Sequence, residues 1–167
     1  MDILKERRSI RKYKSDPVTK ELLEEVIEAG LYAPSGRGLQ SAKIIAVTDK
    51  EMRDRLSAEN ARIMGTDKDP FYGAPVVLIV IADKSVPTYV YDGSLVMGNM
   101  MNKAFELGLG SCWIHRAKQE FESAIGKEIL VKAGICGDYE GIGHVILGYP
   151  DEVPVPRPRS EGRVFYI

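Results

Sequence analysis

The sequence has little cysteine, little histidine and almost no charge imbalance. Its 167 residues include two cysteines and two histidines, and 23 lysines and arginines face 24 aspartates and glutamates. Two isolated cysteines argue against a disulfide-rich secreted scaffold, and so few cysteines and histidines argue against a metal site. A net charge of -1 argues against a nucleic-acid partner, since such proteins usually carry a large positive excess. Any anion site must therefore be local.

The chain also lacks a long apolar run. The longest, 75–82, has the length of a strand and falls far short of the roughly 20 residues that cross a bilayer. No apolar segment follows the basic residues near the N-terminus, so no secretory signal is predicted. We therefore expect a cytoplasmic protein with no membrane partner. The length suits one domain, 1–167, with an extended proline-rich tail from about Asp151.

Apolar spacing predicts helices and strands on both sides of a central strand. The predicted helices are 2–8, a second from a cap at Asp16 or Thr19 to the residues before Pro34, then 50–64, 89–107 and 118–131. The predicted strands are 43–48, 76–81, 111–114, 144–147 and 163–167. Because 76–81 is apolar on both faces, we expect a sheet with helices packed on each side. The order of elements predicts the α+β class.

Two segments predict contact with a second chain. The helix 89–107 is apolar around most of its circumference, which a chain of this size cannot easily bury by itself. The terminal strand 163–167 has no hairpin partner beside it and could add to the sheet of a neighbouring chain. We therefore expect a homodimer.

Two basic clusters, one at each end of the chain, suggest a phosphate site. The first consists of Arg7, Arg8 and Ser9, followed by Arg11, and the second of Arg157 and Arg159. Guanidinium groups form bidentate, charge-assisted bonds to phosphate oxygens, and a nearby hydroxyl adds one more contact. A solvated basic face and a mobile tail with incidental arginines are the alternative interpretations.

Motifs for side-chain catalysis and for common nucleotide folds are absent. The glycine pairs at 36–38 and 141–143 precede strands rather than helices, and there is neither a Walker loop nor a G-x-S-x-G elbow. Cys112 is expected to be a packed thiol, and His115 and His144 are expected to be structural or solvent-facing. Such a sequence favours an enzyme whose chemistry comes from a cofactor.

Five segments occur in an order and spacing that resemble one family. They are RRSIRKY (7–13), APSGRGLQ (33–40), GAPVV (73–77), LGLGSCWI (107–114) and ILGYP (146–150), the last followed by Arg157 and Arg159. The chain resembles the nitroreductase family of FMN-dependent enzymes nearly from end to end. The resemblance implies a dimeric three-layer α-β-α sandwich with a mixed, mainly antiparallel sheet. It also implies ping-pong transfer of hydride from NADH or NADPH, through flavin N5, to a nitroaromatic, a quinone or a similar acceptor.

The resemblance also assigns roles to residues. It implies that the first cluster and the tail arginines hold the FMN phosphate and ribityl chain, that Arg11 lies near flavin N1, and that the loop at Pro34 comes from the partner subunit. It implies that the backbone at Ile114, His115 and Arg116 faces flavin N5. The full expected set is Arg7, Arg8, Ser9, Arg11, Pro34, Ser35, Gly36, Gln40, Ile114, His115, Arg116, Arg157 and Arg159.

Two departures from the family pattern bear on this reading. Gly38 and Ala42 stand where members often have asparagine and tryptophan, and the short connection 61–73 argues against a large helical lid.

Two other functions stay open at this point. One is a non-redox binder of a phosphorylated ligand or nucleic acid, and the other is a flavoenzyme of the same fold that removes halogens or fragments flavin.

Overall fold

The structure, a computed structural model, describes residues 2–167 and contains six α-helices, one short 3₁₀-helix (Gly36–Gly38) and four strands over that range. The helices are α1 (Ile3–Glu6), α2 (Lys20–Leu31), α3 (Lys50–Met64), α4 (Tyr89–Glu106), α5 (Ala117–Glu122) and α6 (Ala124–Lys132). The strands are β1 (Ala42–Val47), β2 (Val76–Asp83), β3 (Gly110–Ile114) and β4 (Tyr139–Gly148). The predicted α+β class is confirmed.

The four strands form one sheet in the order β1-β2-β4-β3, and each neighbouring pair is antiparallel. Strands β1 and β3 are therefore its two edges within the chain. The parallel element is a one-residue bridge between Ser9 and Ser111, which ties the segment after α1 to β3. This bridge fixes where the first basic cluster lies.

Helices cover the sheet on both faces, which gives the expected three layers. Helices α3, α5 and α6 pack on one face, where they meet Val77, Ile79 and Ile81 of β2. Helices α2 and α4 pack on the other face, against the alternate residues of the same strand. All side chains from 76 to 82 are buried, as their continuous apolar pattern predicted.

Helix caps account for the observed boundaries. The Thr19 hydroxyl accepts a hydrogen bond from the N–H of Leu22 at 3.4 Å, so α2 begins at the second of its two predicted caps. The Asp49 carboxylate accepts from the N–H of Met52 at 2.8 Å. At the other end, Gly65 caps α3 directly after Met64 and has a φ of 72°. Glycine suits that left-handed position because it has no Cβ.

One predicted helix is wrong. The segment 118–131 forms two helices, α5 and α6, which are separated at Ser123 by an extended residue with a ψ of 178°. The first turn of α6 packs directly on the end of α5, and a Cβ at Gly126 would overlap the backbone of Phe121. Apolar spacing did not reveal the break, because the periodicity resumes on the same face.

Two surfaces of the chain stay apolar and uncovered. Helix α4 buries Val96, Met97 and Met100, whereas Tyr91 and Leu95 on its other side are 71% and 47% exposed. The terminal segment 163–167 forms no strand within the chain, and its expected pairing with a second chain stays a prediction. Within residues 2–167, no helix is both long and apolar enough to span a membrane.

Candidate functional site

The structure brings three residues of the first basic cluster and one tail arginine to a single pocket. Its volume is about 550 Å³, and it is lined by Leu4, Lys5, Arg7, Arg8, Ser9 and Arg159. Because the chain leaves α1 at Arg7 and is bridged to β3 at Ser9, both arginines are carried on a short, fixed segment. Arg157 does not line this pocket and is exposed.

Two buried guanidinium nitrogens of residues that line this pocket have no protein partner. They are Nη1 of Arg7 and Nε of Arg8, whereas Nη1 of Arg8 donates to the carbonyls of Lys5 at 2.6 Å and Arg7 at 2.8 Å. Burial lowers the pKa of Arg7, but a guanidinium stays protonated in proteins. A buried guanidinium nitrogen without an acceptor is unfavourable, so these two partly buried arginines favour an anion as the ligand of the pocket.

A second, largely apolar pocket of about 510 Å³ adjoins the first, since Arg7 and Arg8 line both. Its apolar lining includes Phe105 of α4 and Val153 and Pro154 of the tail. The two pockets together offer a charged end beside an apolar one.

Arg11 lies outside both pockets. Its backbone N–H donates to the Glu152 carboxylate at the start of the tail, and its guanidinium carbon lies 6.0 Å from the centre of the Tyr72 ring. The structure therefore places Arg11 near the tail and the loop before β2, not among the groups that line the anion pocket.

The loop at 34–40 is held by a buried carboxylate that the sequence did not reveal. Asp92, 3% exposed, accepts from the N–H of Gly36 at 2.9 Å and from the hydroxyls of Ser41 at 2.7 Å and Thr88 at 3.1 Å. Burial acts to raise the pKa of Asp92, but these hydrogen bonds outweigh it and hold the pKa below its ordinary value. A Cβ at Gly36 would overlap the Thr88 side chain, so the loop needs glycine there.

Three of the expected loop residues share one small cavity. Pro34, Ser35 and Gln40 line about 190 Å³ next to Asp92, and the N–H of Gln40 donates to the Ser35 hydroxyl at 3.0 Å. Gly38, where the family often has asparagine, has a φ of 67° and open space around it. Both residue types accept that left-handed backbone, glycine most readily.

The loop and the anion pocket lie at opposite corners of the sheet. The loop leads into Ala42, opposite Ala82, whereas the pocket adjoins Ser111, which is level with Leu147 and Val76. From residue 76 to residue 82 of β2 is roughly 20 Å, and from β1 to β3 is roughly 14 Å across. One chain therefore does not bring the two expected halves of the site together.

The turn after β3 carries the remaining expected residues. Ile114 is buried, His115 is exposed with its ring 5.5 Å from that of Trp113, and Arg116 has a φ of 82°. Fully buried Asn60 of α3 donates to the His115 carbonyl at 3.0 Å and accepts from Arg116 Nε at 2.9 Å. Sequence reasoning missed Asn60, because a lone asparagine in a charged helix gives no such signal.

The two other candidate reactive side chains are structural. Cys112 is buried, and burial raises the pKa of its thiol, which disfavours the nucleophilic thiolate. His144 is fully buried, pairs with fully buried Glu120 and lies edge-on to the ring of Phe71. Among residues 2–167, no group of three or more His, Cys, Asp or Glu residues could hold a metal ion.

Comparison with known proteins gives consistent matches over most of the chain. A sequence model of the Nitroreductase family matches residues 4–66. The solved structure of an FMN-dependent nitroreductase from Clostridium difficile R20291 is 33% identical, with 98% of this chain and 96% of that chain covered and a TM-score of 0.82. A nitroreductase with bound FMN from Bacteroides fragilis is 25% identical, with 99% and 97% covered and a TM-score of 0.88.

Curated relatives from archaea match as well. A protein of Archaeoglobus fulgidus, provisionally named NADH dehydrogenase/NAD(P)H nitroreductase, is 30% identical over 87% of this chain and 82% of its own length. A relative from Methanothermobacter thermautotrophicus with the same name is 32% identical over 68% of this chain, but the match spans only 59% of that relative.

Proposed function

Because the chain belongs to the nitroreductase family, we propose that it is an FMN-dependent NAD(P)H oxidoreductase that reduces small electrophilic acceptors. One observation carries the proposal: Arg7, Arg8, Ser9 and Arg159 line one pocket, and Arg7 and Arg8 each keep a buried guanidinium nitrogen without a protein partner. The related nitroreductase from Bacteroides fragilis holds FMN, and NAD(P)H appears in the name of the Archaeoglobus relative.

The donor set fits the phosphate end of FMN. A phosphate monoester is a compact dianion with three acceptor oxygens, which suits the guanidinium groups of Arg7 and Arg8 together with the Ser9 hydroxyl. Arg159 adds a cation from the tail, and we propose that Arg157 joins it as a further cation when FMN is bound. The apolar pocket beside these groups suits the uncharged part of the cofactor.

The protein's own side chains hold and orient rather than react. When bound, FMN supplies the redox chemistry by accepting hydride from NAD(P)H and passing electrons to the acceptor. The buried Cys112 thiol and the buried Glu120–His144 pair are poorly placed to reach a substrate, so no side-chain acid or base is required. A nitroaromatic or a quinone is the acceptor class we propose.

We propose a homodimer with FMN at the interface. The loop at 34–36 and the anion pocket lie at opposite corners of the sheet, so they can serve one cofactor only if they come from different chains. The uncovered apolar side of α4, with Tyr91 and Leu95, and the exposed terminal segment 163–167 are surfaces that a second chain would bury.

The proposal extends to the acceptor side and to cellular location. No helix forms between Met64 and Val76, which fits an open pocket without a helical lid and a broad range of acceptors. A cytoplasmic location is part of the proposal, because NAD(P)H is an intracellular reductant and the cysteines of the described chain are unpaired.

Anaerobic reduction tests this function directly. The purified protein, loaded with FMN, is mixed with NADH or NADPH while the flavin absorbance is followed, and a nitroaromatic or a quinone is then added. We expect bleaching by a nicotinamide and recovery of absorbance with the acceptor. A colourless protein that takes up no FMN, and instead binds oligonucleotides in a salt-sensitive way, would contradict the proposal.

A further inference from the structure

Asn60 is a fully buried amide on α3 that is committed to one turn. Its Nδ2 donates to the carbonyl of His115 at 3.0 Å, and its Oδ1 accepts from Nε of Arg116 at 2.9 Å. Both partners lie directly after β3, 55 and 56 residues away along the chain. One side chain therefore fixes the carbonyl of the peptide between His115 and Arg116 and, separately, the guanidinium group of Arg116.

The peptide between His115 and Arg116 is oriented by this contact. In a planar trans peptide the C=O and the N–H point in opposite directions, so a carbonyl directed at Asn60 turns the N–H of Arg116 away from α3. Within residues 2–167, that N–H makes no hydrogen bond to the protein. The turn thus presents one free backbone donor toward the side of β3 that carries Trp113 and His115.

The backbone conformation of this turn is intrinsically unfavourable. Arg116 has a φ of 82°, which is strained for a residue with a Cβ, and strained residues persist only where their surroundings over-determine them. The Arg116 carbonyl accepts from the N–H of Glu120 at 3.1 Å in the first turn of α5, and Asn60 restrains the other side. Contacts with α3 and α5 therefore keep the strained backbone in place.

We propose that Asn60 is a positioning residue that aims the backbone N–H of Arg116 at the reacting edge of the flavin. This inference rests on the proposed function, because the resemblance to nitroreductases implies that the backbone at 114–116 faces flavin N5. Asn60 itself contacts no cofactor or substrate and acts through the turn. A preorganised donor at this place stabilises charge that develops as the flavin is reduced.

The test compares three variants of the FMN-loaded protein. Asn60→Leu removes both hydrogen bonds at similar volume, and Asn60→Asp keeps an acceptor for Arg116 but loses the donor to His115. Asn99→Leu is the matched control, because the Asn99 amide also donates to a backbone carbonyl, that of Ala29 at 3.1 Å, between α4 and α2. Flavin reduction at saturating NADH or NADPH is measured beside FMN affinity and melting temperature.

We expect both Asn60 variants to reduce bound flavin about 10-fold to 100-fold more slowly than the parent, with FMN affinity within about 3-fold, because the phosphate is held elsewhere. The control should lose stability but keep its rate of flavin reduction. Asn60 variants that reduce flavin at the parent rate would overturn the inference and leave the proposed function intact. A parent protein that binds no FMN would overturn both.

A second readout needs no turnover and no foldable variant. In a ¹⁵N–¹H spectrum of the parent, loading with FMN should shift the Arg116 amide resonance strongly, since that donor gains a partner. Asn60→Asp should reduce the shift if it folds. An Arg116 amide in the parent that does not respond to FMN, while amides near Ser9 do, would overturn the inference.

Discussion

The anion pocket and the loop at 34–40 show two opposite states of hydrogen bonding. In the pocket, Arg7 and Arg8 keep buried donors without protein partners. In the loop, Asp92 already receives the N–H of Gly36 and two hydroxyls. One half of the proposed site therefore keeps donors that a ligand could satisfy, whereas the other half is already held in shape by the protein's own hydrogen bonds.

The largest effect should come from the unsatisfied half. Replacing both Arg7 and Arg159 with alanine removes two charge-assisted contacts, and we expect FMN affinity to fall by about 100-fold or more. The protein should lose its yellow colour on desalting. Arg55→Ala with Arg62→Ala is the matched control, because it removes the same charge from exposed positions on α3. A double variant as yellow as the parent would refute the phosphate assignment.

A change in the loop at 34–40, whose hydrogen bonds are already satisfied, should lower the stability of the protein before it lowers FMN binding. Asp92→Ala leaves three donors without their acceptor, one of them on buried Ser41, and we expect the free energy of unfolding to fall by about 3 kcal/mol. Urea denaturation measures this. Asp83→Ala is the control, because the carboxylate of partly exposed Asp83 accepts from the N–H of Ser85 at 2.8 Å. Equal losses in the two variants would mean that Asp92 is no more than a surface cap.

Refolding a mixture of two defective chains tests whether the loop at 34–36 and the anion pocket of one FMN site come from different subunits. Gly36→Val displaces the loop, because even a Cβ would overlap Thr88, and it is refolded together with the Arg7→Ala, Arg159→Ala chain. Random pairing should restore about a quarter of the parent FMN sites, since each heterodimer has one intact site. Neither variant should bind FMN when refolded alone. A mixture that stays colourless would mean that each site is built within one chain.

The smallest effect is a pH dependence at Asp92. Its pKa is lowered in the folded protein, so its contribution to stability is fully present above the unfolded value of about 3.9 and is lost as the pH falls through the folded value. The difference in unfolding free energy between the parent and Asp92→Asn should therefore narrow on acidification. A difference that stays constant to low pH would show that the carboxylate is not preferentially charged in the fold.

Local signals in the sequence were sufficient for most of the fold. The helix at 50–64 was predicted with its observed bounds from apolar spacing, and the structure shows that Asp49 and Gly65 cap its two ends. The fully apolar 76–81 identified the central strand. The break at Ser123 was missed, since it depends on contact between consecutive helices rather than on a change in apolar spacing.

The residues of the candidate site could be predicted from the sequence only in part. Charge and spacing drew attention to Arg7, Arg8 and Ser9, and the structure places Arg159 beside them. Asp92 and Asn60 were missed because all their partners except Thr88 lie 51 to 56 residues away, so neither side chain differs locally from a solvated polar residue on a helix. Only the folded chain shows that both are buried.

The central strand β2 has a consequence for how the protein is made. Its segment 76–82 is apolar on both faces of the sheet and needs β4 as a neighbouring strand. Strand β4 is synthesised only after α4, β3, α5 and α6. A nascent chain therefore exposes a stretch with high β-propensity and no charge until residues 139–148 emerge from the ribosome. Refolding at high concentration should favour aggregation through this strand, and dilution or a chaperone should raise the yield.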